Sequence, residues 1–353
     1  MALLANRLAY LRAFVAEPVK QPGLALGEQI WGDRRTRFCY FTAIAFSLCF
    51  SLLFYQQAFS APFVIQDDAR QHIFWMRRFL DPELFPNDLI ADYFESVAPA
   101  GYSLLYRIAA LLGFDPILFS KLLPLGLSLI AVSYCFGLSL TIFPLPVAAF
   151  SSALLLAQSL CFTDTLVSGI QKAFIYPFVC AFLYYLAQRR WLGTVISLVL
   201  LGGFYPQMVL IAAGTLALQL LVWQRQKWGW RLGWTGDRQT WRISLLGLGT
   251  AFAVLLPYAL GDSGYGPVVS ADQARQMPEF FKGGRARYFR DDNPGEYWFG
   301  GRSGLRFNSA LTPATNALGL VCPCCCAWIA PFPWPASSRP VGAFWSGFCW
   351  LRG

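Results

Sequence analysis

Five stretches of this 353-residue chain contain no Asp, Glu, Lys, Arg or His: 38–66, 122–163, 173–188, 191–224 and 243–261. Nothing else in the sequence constrains the fold as strongly. A run of roughly 20 apolar residues crosses a bilayer as a helix that satisfies its own backbone hydrogen bonds. Only 13% of the residues are charged, about half the usual share of a soluble domain, and those charges sit between the runs. Disorder, a collagen-like chain and a disulfide-stapled secreted domain are excluded together.

The net charge of +9 raises the question of nucleic acid, but the basic residues form no stripe on one soluble face. They flank the apolar runs. Arg7, Arg12, Lys20, Arg34, Arg35 and Arg37 precede the first, Arg189 and Arg190 follow another, and Arg225, Lys227, Arg231, Arg238 and Arg242 fill a third segment. An excess of Lys and Arg marks cytoplasmic segments, so the N-terminus is expected inside, with no nucleic-acid partner. The first run starts near Phe38 and is too long for a signal-peptide core, which predicts a retained anchor in the plasma (inner) membrane.

Proline and glycine divide the longer runs. Phe143-Pro144-Leu145-Pro146 splits 122–163, and Gly202-Gly203-Phe204-Tyr205-Pro206 splits 191–224, because proline stops a helix. The expected fold is an all-α polytopic membrane protein with about seven transmembrane helices. Between the first two spans, residues 61–115 hold eight acids against four arginines and are expected outside. There 68–80 and 101–113 are amphipathic, predicting two external juxtamembrane helices. The organisation expected is a cytoplasmic segment 1–37, a transmembrane domain 38–260 with an external loop 59–117, an external loop 261–316 and an atypical tail 317–353.

Within 1–37, Leu4, Leu8, Leu11 and Val15 fall on one helical face, as in a helix lying on the membrane surface, although an ordinary basic flank reads the same way. The loop 261–316 carries two Gly-Gly-Arg triplets, at 283–285 and 300–302, which read either as phosphate-binding backbone or as turns. In the tail, Cys322 and Cys325 have metal-type spacing without a second pair. Cys, Pro and Trp crowd there without periodicity, as in a segment read in a shifted frame.

The chemistry concentrates at Gln66-Asp67-Asp68-Ala69-Arg70-Gln71-His72, just beyond the first span. Asp68 and His72, the chain's one histidine, are i and i+4 on the predicted helix and share a face. Arg70 and Arg77 lie on the same segment. Acids at a helix start also serve as caps and complement the helix dipole, a structural reading that competes with a functional one. Paired acids with cations at a membrane surface suit a carboxylate that deprotonates a hydroxyl while cations hold a lipid phosphate. Asp164 and Lys172 bracket the next external turn, where charges near hydrocarbon are costly and tend to be functional. They also mark where spans reach water. A third external turn adds Tyr205 and Gln207, although aromatic belts put tyrosine there anyway.

This arrangement resembles the N-terminal membrane half of GT-C glycosyltransferases, which include the protein O-mannosyltransferases, the aminoarabinose transferase of lipid A and the catalytic subunit of oligosaccharyltransferase. The layout over 38–260 carries the resemblance, with Asp67-Asp68 opening one juxtamembrane helix and Pro99-Ala100-Gly101-Tyr102 opening the second. Asp68-Ala69-Arg70-Gln71-His72 is similar to the Asp-x-x-x-His pattern of oligosaccharyltransferases, and Asp164 matches a second acid in the family's second external loop.

The resemblance implies inverting transfer of a sugar from a polyprenyl-phosphate donor, with membrane lipid as partner. Asp68 or Asp67 is then general base or metal ligand, Asp164 a second acid, and Arg70, His72, Arg77 and Lys172 phosphate binders, with Tyr205 and Gln207 alongside. A divalent metal, held by Asp68 and Asp164, is left open. The rival expectations are a transporter or lipid flippase, and an inactive remnant. Transporters place charge near the bilayer midplane and show internal repeats, whereas the runs here are uncharged and unrepeated.

Overall fold

A computed structural model describes residues 26–61, 64–162, 168–226, 229–261, 265 and 269–281. The N-terminal face of Leu4 to Val15, Asp164, both Gly-Gly-Arg triplets and the tail 317–353 lie outside the described residues. The chain divides into two compact units, at Ser263 and Gly264.

The first unit is helical almost throughout. A short helix α1 (Leu26–Trp31) leads into α2 (Arg34–Ala58), whose first turn is capped by Asp33, accepting from the Thr36 amide at 3.1 Å and its hydroxyl at 3.2 Å. The connecting segment then forms α3 (Asp67–His72), a 3-10 turn (Phe74–Phe79), α4 (Leu89–Ser96) and α5 (Ala100–Leu111). The helix α6 (Pro116–Ile142) follows. Asp115 starts it by accepting from the amides of Ile117 and Leu118 at 2.8 and 3.2 Å, with proline at the first helical position, where its missing N–H costs nothing. The doublet of prolines at 144 and 146 ends α6 and starts α7 (Pro146–Phe162). A 3-10 turn (Gln171–Phe174) leads to α8 (Ile175–Ala187), α9 (Trp191–Phe204) and α10 (Gln207–Leu218), and α11 (Arg238–Leu260) closes the unit.

Among the described residues three helices are long and apolar enough to cross a membrane: Arg34–Leu53, Pro116–Ile142 and Arg238–Leu260. They support an integral membrane protein, but they correct the count of seven. The other four expected spans are helices of 17, 13, 14 and 12 residues. At 1.5 Å per residue these reach about 18 to 26 Å, short of a hydrocarbon core of about 30 Å. The missing length goes into the breaks: the 3-10 turn opens the run 173–188, and Pro206 ends the helix before it.

The described residues are mostly helical, as the all-α expectation requires, with one local departure. Residues expected as a basic linker pair as an antiparallel hairpin, β1 (Leu221–Gln226) with β2 (Gly229–Trp234), in a register from Leu221↔Trp234 to Gln226↔Gly229. Valine, leucine and tryptophan in this segment favour a pleated strand, and the Thr235 amide extends the pairing onto the Leu220 carbonyl at 2.8 Å.

Small residues let the helices approach. Cys39, Ala43, Ala149, Ala153 and Ala157 pack α2, α6 and α7 around Val132, Phe136 and Leu140, the device by which apolar helices associate without a hydrophobic drive. The Ser47 and Ser128 hydroxyls satisfy each other at 2.7 Å within this contact. A second core joins α8 to α11 through Phe182, Leu198, Leu201, Leu216 and Ile243. The helices expected at 68–80 and 101–113 are present, and α4 is an addition between them. In the second unit, Ser270 and Gln273 cap one short helix, α12 (Ala271–Arg275), reciprocally.

Candidate functional site

The best-anchored side-chain cluster lies where α3, α4, α5 and the turn 168–174 meet at one end of the first unit. Its base is aromatic. Trp75, Met76, Tyr102, Tyr106 and Phe174 are buried together, and Phe174 packs on Phe204 with ring centroids 4.5 Å apart. The α5 backbone comes so close to α9 that a Cβ on Gly101 would lie 2.8 Å from the Gly203 carbonyl oxygen.

The turn carrying Lys172 is tied to this base at Gly169. Its carbonyl accepts from the Tyr102 and Tyr106 hydroxyls at 3.2 and 2.7 Å. Burial pushes both hydroxyl pKa values up, so both remain donors. The Gly169 amide donates to the Ser120 carbonyl at 2.7 Å. That acceptor is free for a local reason: the residue four positions on is Pro124, inside α6, which has no N–H to give it.

The segment carrying Asp68 is tied to the same turn. The Gln66 side chain, not an aspartate, caps α3, accepting from the Ala69 amide at 3.0 Å, and it also accepts from the Ser168 hydroxyl at 3.2 Å. The Asp68 carboxylate is directed elsewhere, accepting from the Lys172 ammonium at 3.4 Å across 104 residues of sequence. Both side chains are substantially exposed, 41% and 57%, so the pair is solvent-screened. His72 lies on the Asp68 face, its ring edge-on to Phe94 at 5.2 Å. Burial lowers its pKa, with Asp68 opposing and Lys172 adding to that shift, so the imidazole is neutral near pH 7.

The other predicted site residues are distributed around this centre. Arg70 is exposed and two residues from Asp68, a spacing that puts it on another helical face. Arg77 pairs with Asp115 at 3.2 Å, which ties the 3-10 turn to the start of α6. Asp67 is exposed, Tyr205 is half-buried at the end of α9 and Gln207 is exposed at the start of α10. Asp164 falls among the residues not described, so its distance from Asp68 has no place in this geometry.

Among the described residues no three His, Cys, Asp or Glu side chains gather as a metal site. Among the described residues the groups around Asp68 are an ammonium and one imidazole, and Asp164, the second acid expected to hold a metal, lies outside them.

Sequence reasoning missed the residues that hold the centre in place. Arg78 donates to the Leu84 and Phe85 carbonyls and to Asp92 and Glu95 at 2.7 and 2.9 Å, so it folds α4 back towards His72. Gln66, Ser168, Gly169, Tyr102 and Tyr106 form the other ties. Of these, only a proline inside an otherwise helical run was a readable signal, since it frees a carbonyl. No protein-family model, no curated protein and no solved structure matches the chain.

Proposed function

We propose that the chain is the membrane part of a GT-C-type glycosyltransferase that moves a sugar from a polyprenyl-phosphate donor to an acceptor at the outer face of the plasma (inner) membrane, with its N-terminus in the cytoplasm. One observation carries the reading: Asp68, His72 and Lys172 converge at one end of the helical unit, on two segments held to a common aromatic base.

In this reaction Asp68 takes the proton from the acceptor's nucleophilic group. The acceptor attacks the anomeric carbon, and the bond from that carbon to the phosphate oxygen breaks with its electron pair leaving on the polyprenyl phosphate. The Lys172 ammonium neutralises the departing phosphate, where a charge-assisted hydrogen bond is strongest. Neutral His72 contributes one N–H, and Arg70, free on its outer face to swing, supplies long-range attraction.

The test is Asp68→Asn in the full chain, reconstituted with a polyprenyl-phosphate sugar. Loss of a general base lowers the rate by about 10²- to 10⁴-fold. Because Gln66 supplies the α3 cap, thermal stability should change by well under about 1 kcal/mol. Unchanged turnover would remove Asp68 from the chemistry, and headgroup movement without glycosyl product would point to a flippase.

A further inference from the structure

We infer that Asp68 and Lys172 form a displaceable latch, in which the phosphate of a lipid-linked headgroup takes Lys172 from Asp68 and thereby frees the carboxylate. The inference deepens the proposed function and rests on its reading that a phosphate docks at this face.

Several observations support it. The pair is the contact between α3 and the 168–174 turn made by formal charges, it is 3.4 Å long, and both partners are exposed. A screened pair of this kind contributes little stability, so a phosphate anion competes with it readily. The supports beneath it are rigid by comparison. Ala173 and Phe174, next to Lys172, are buried, Gly169 is held by three hydrogen bonds, and Ala69, next to Asp68, is buried.

Movement is therefore confined to the lysine's flexible four-carbon stem, which carries a point charge with three donors. While Lys172 rests on Asp68, the ammonium occupies a carboxylate oxygen. Once phosphate holds the ammonium, that oxygen is open to the acceptor beside the docked donor. Substrate binding and release of the carboxylate are thus one event.

The consequence is unusual in sign: removing the acid should strengthen phosphate binding. Binding of dodecyl phosphate and of inorganic phosphate is measured on the full chain in nanodiscs of zwitterionic lipid. Asp68→Asn should bind about three- to five-fold tighter, the scale of a lost exposed ion pair. Lys172→Gln should bind about ten-fold weaker or more, and Lys172→Arg should retain binding. The double variant Asp68→Asn with Lys172→Gln should match Lys172→Gln alone. Glu83→Gln, an exposed acid of the same segment, should stay within about two-fold.

A response with dodecyl phosphate alone identifies a lipid headgroup as the ligand, and an equal response with inorganic phosphate identifies the bare anion. Equal or weaker binding by Asp68→Asn overturns the latch. So does an equal gain from that substitution in the Lys172→Gln background, which would reflect a general field. The binding assay requires no turnover: sugar transfer by a protein lacking this pattern leaves the function standing without the latch, and the pattern without transfer leaves the latch standing without the function.

Discussion

His72 separates a charge-based role from a neutral one. It lies beside a carboxylate, which favours the cation, but burial wins and lowers the pKa because desolvation acts on the charged form directly. The folded state therefore binds fewer protons than the unfolded chain between the lowered value and the ordinary 6.5. Stability from this residue is complete above about pH 6.5 and is lost as pH falls through that window. As the chain's one histidine, it can be followed unambiguously by its ring resonances in detergent. A titration midpoint below 6.5 is expected. A midpoint at or above 6.5 would mean that the Asp68 carboxylate, and not burial, governs the ring.

At the scale of elements, the site depends on a defect. An unbroken α6 would give the Ser120 carbonyl to its own helix, whereas Pro124 leaves it for the Gly169 amide. Pro124→Ala restores an intrahelical donor and sets two amides in competition for one oxygen. The helix should gain stability locally while the 168–174 turn loosens. Hydrogen exchange should therefore speed up at Gly169 and its neighbours by at least several-fold, with α2 and α11 unaffected. Turnover should fall with it, since Lys172 is then less well placed. Unaltered exchange at Gly169 would mean that the Tyr102 and Tyr106 hydroxyls suffice to hold the turn.

At the scale of the molecule, the first unit has two chemically different ends. One holds Asp68, Lys172 and the acids paired with Arg78. The other holds the turn at Arg189, whose guanidinium pairs with Asp237 and donates to the Thr240 hydroxyl. The helix α8 alone separates Phe174 from Gln188 by about 20 Å. Reporter domains fused after Glu95 and within the Arg189-Arg190 turn should consequently appear on opposite sides of the membrane, the former outside and the latter in the cytoplasm, as the distribution of Lys and Arg requires. Both reporters on one side would overturn the membrane orientation and the outward-facing site with it.

The helices and their breaks were legible because they are local properties. Apolar runs, amphipathic spacing and proline or glycine breaks act within a few residues, so the divisions at 143–146 and 202–206 and the helices near 68–80 and 101–113 could be read without tertiary information. Span number was not legible, since an uncharged run does not disclose how many of its residues a 3-10 turn or a strand will take. The hairpin at 221–234 escaped for the same reason: four tryptophans among basic residues read as a flank until the strands pair. The sequence marked Asp68, His72 and Lys172 by charge out of place, but only packing joined the first two to the third. That contact depends on Gly169 finding a carbonyl that a proline in a different helix had left unbonded, and a long-range hydrogen bond of this kind has no signature in the spacing of residues.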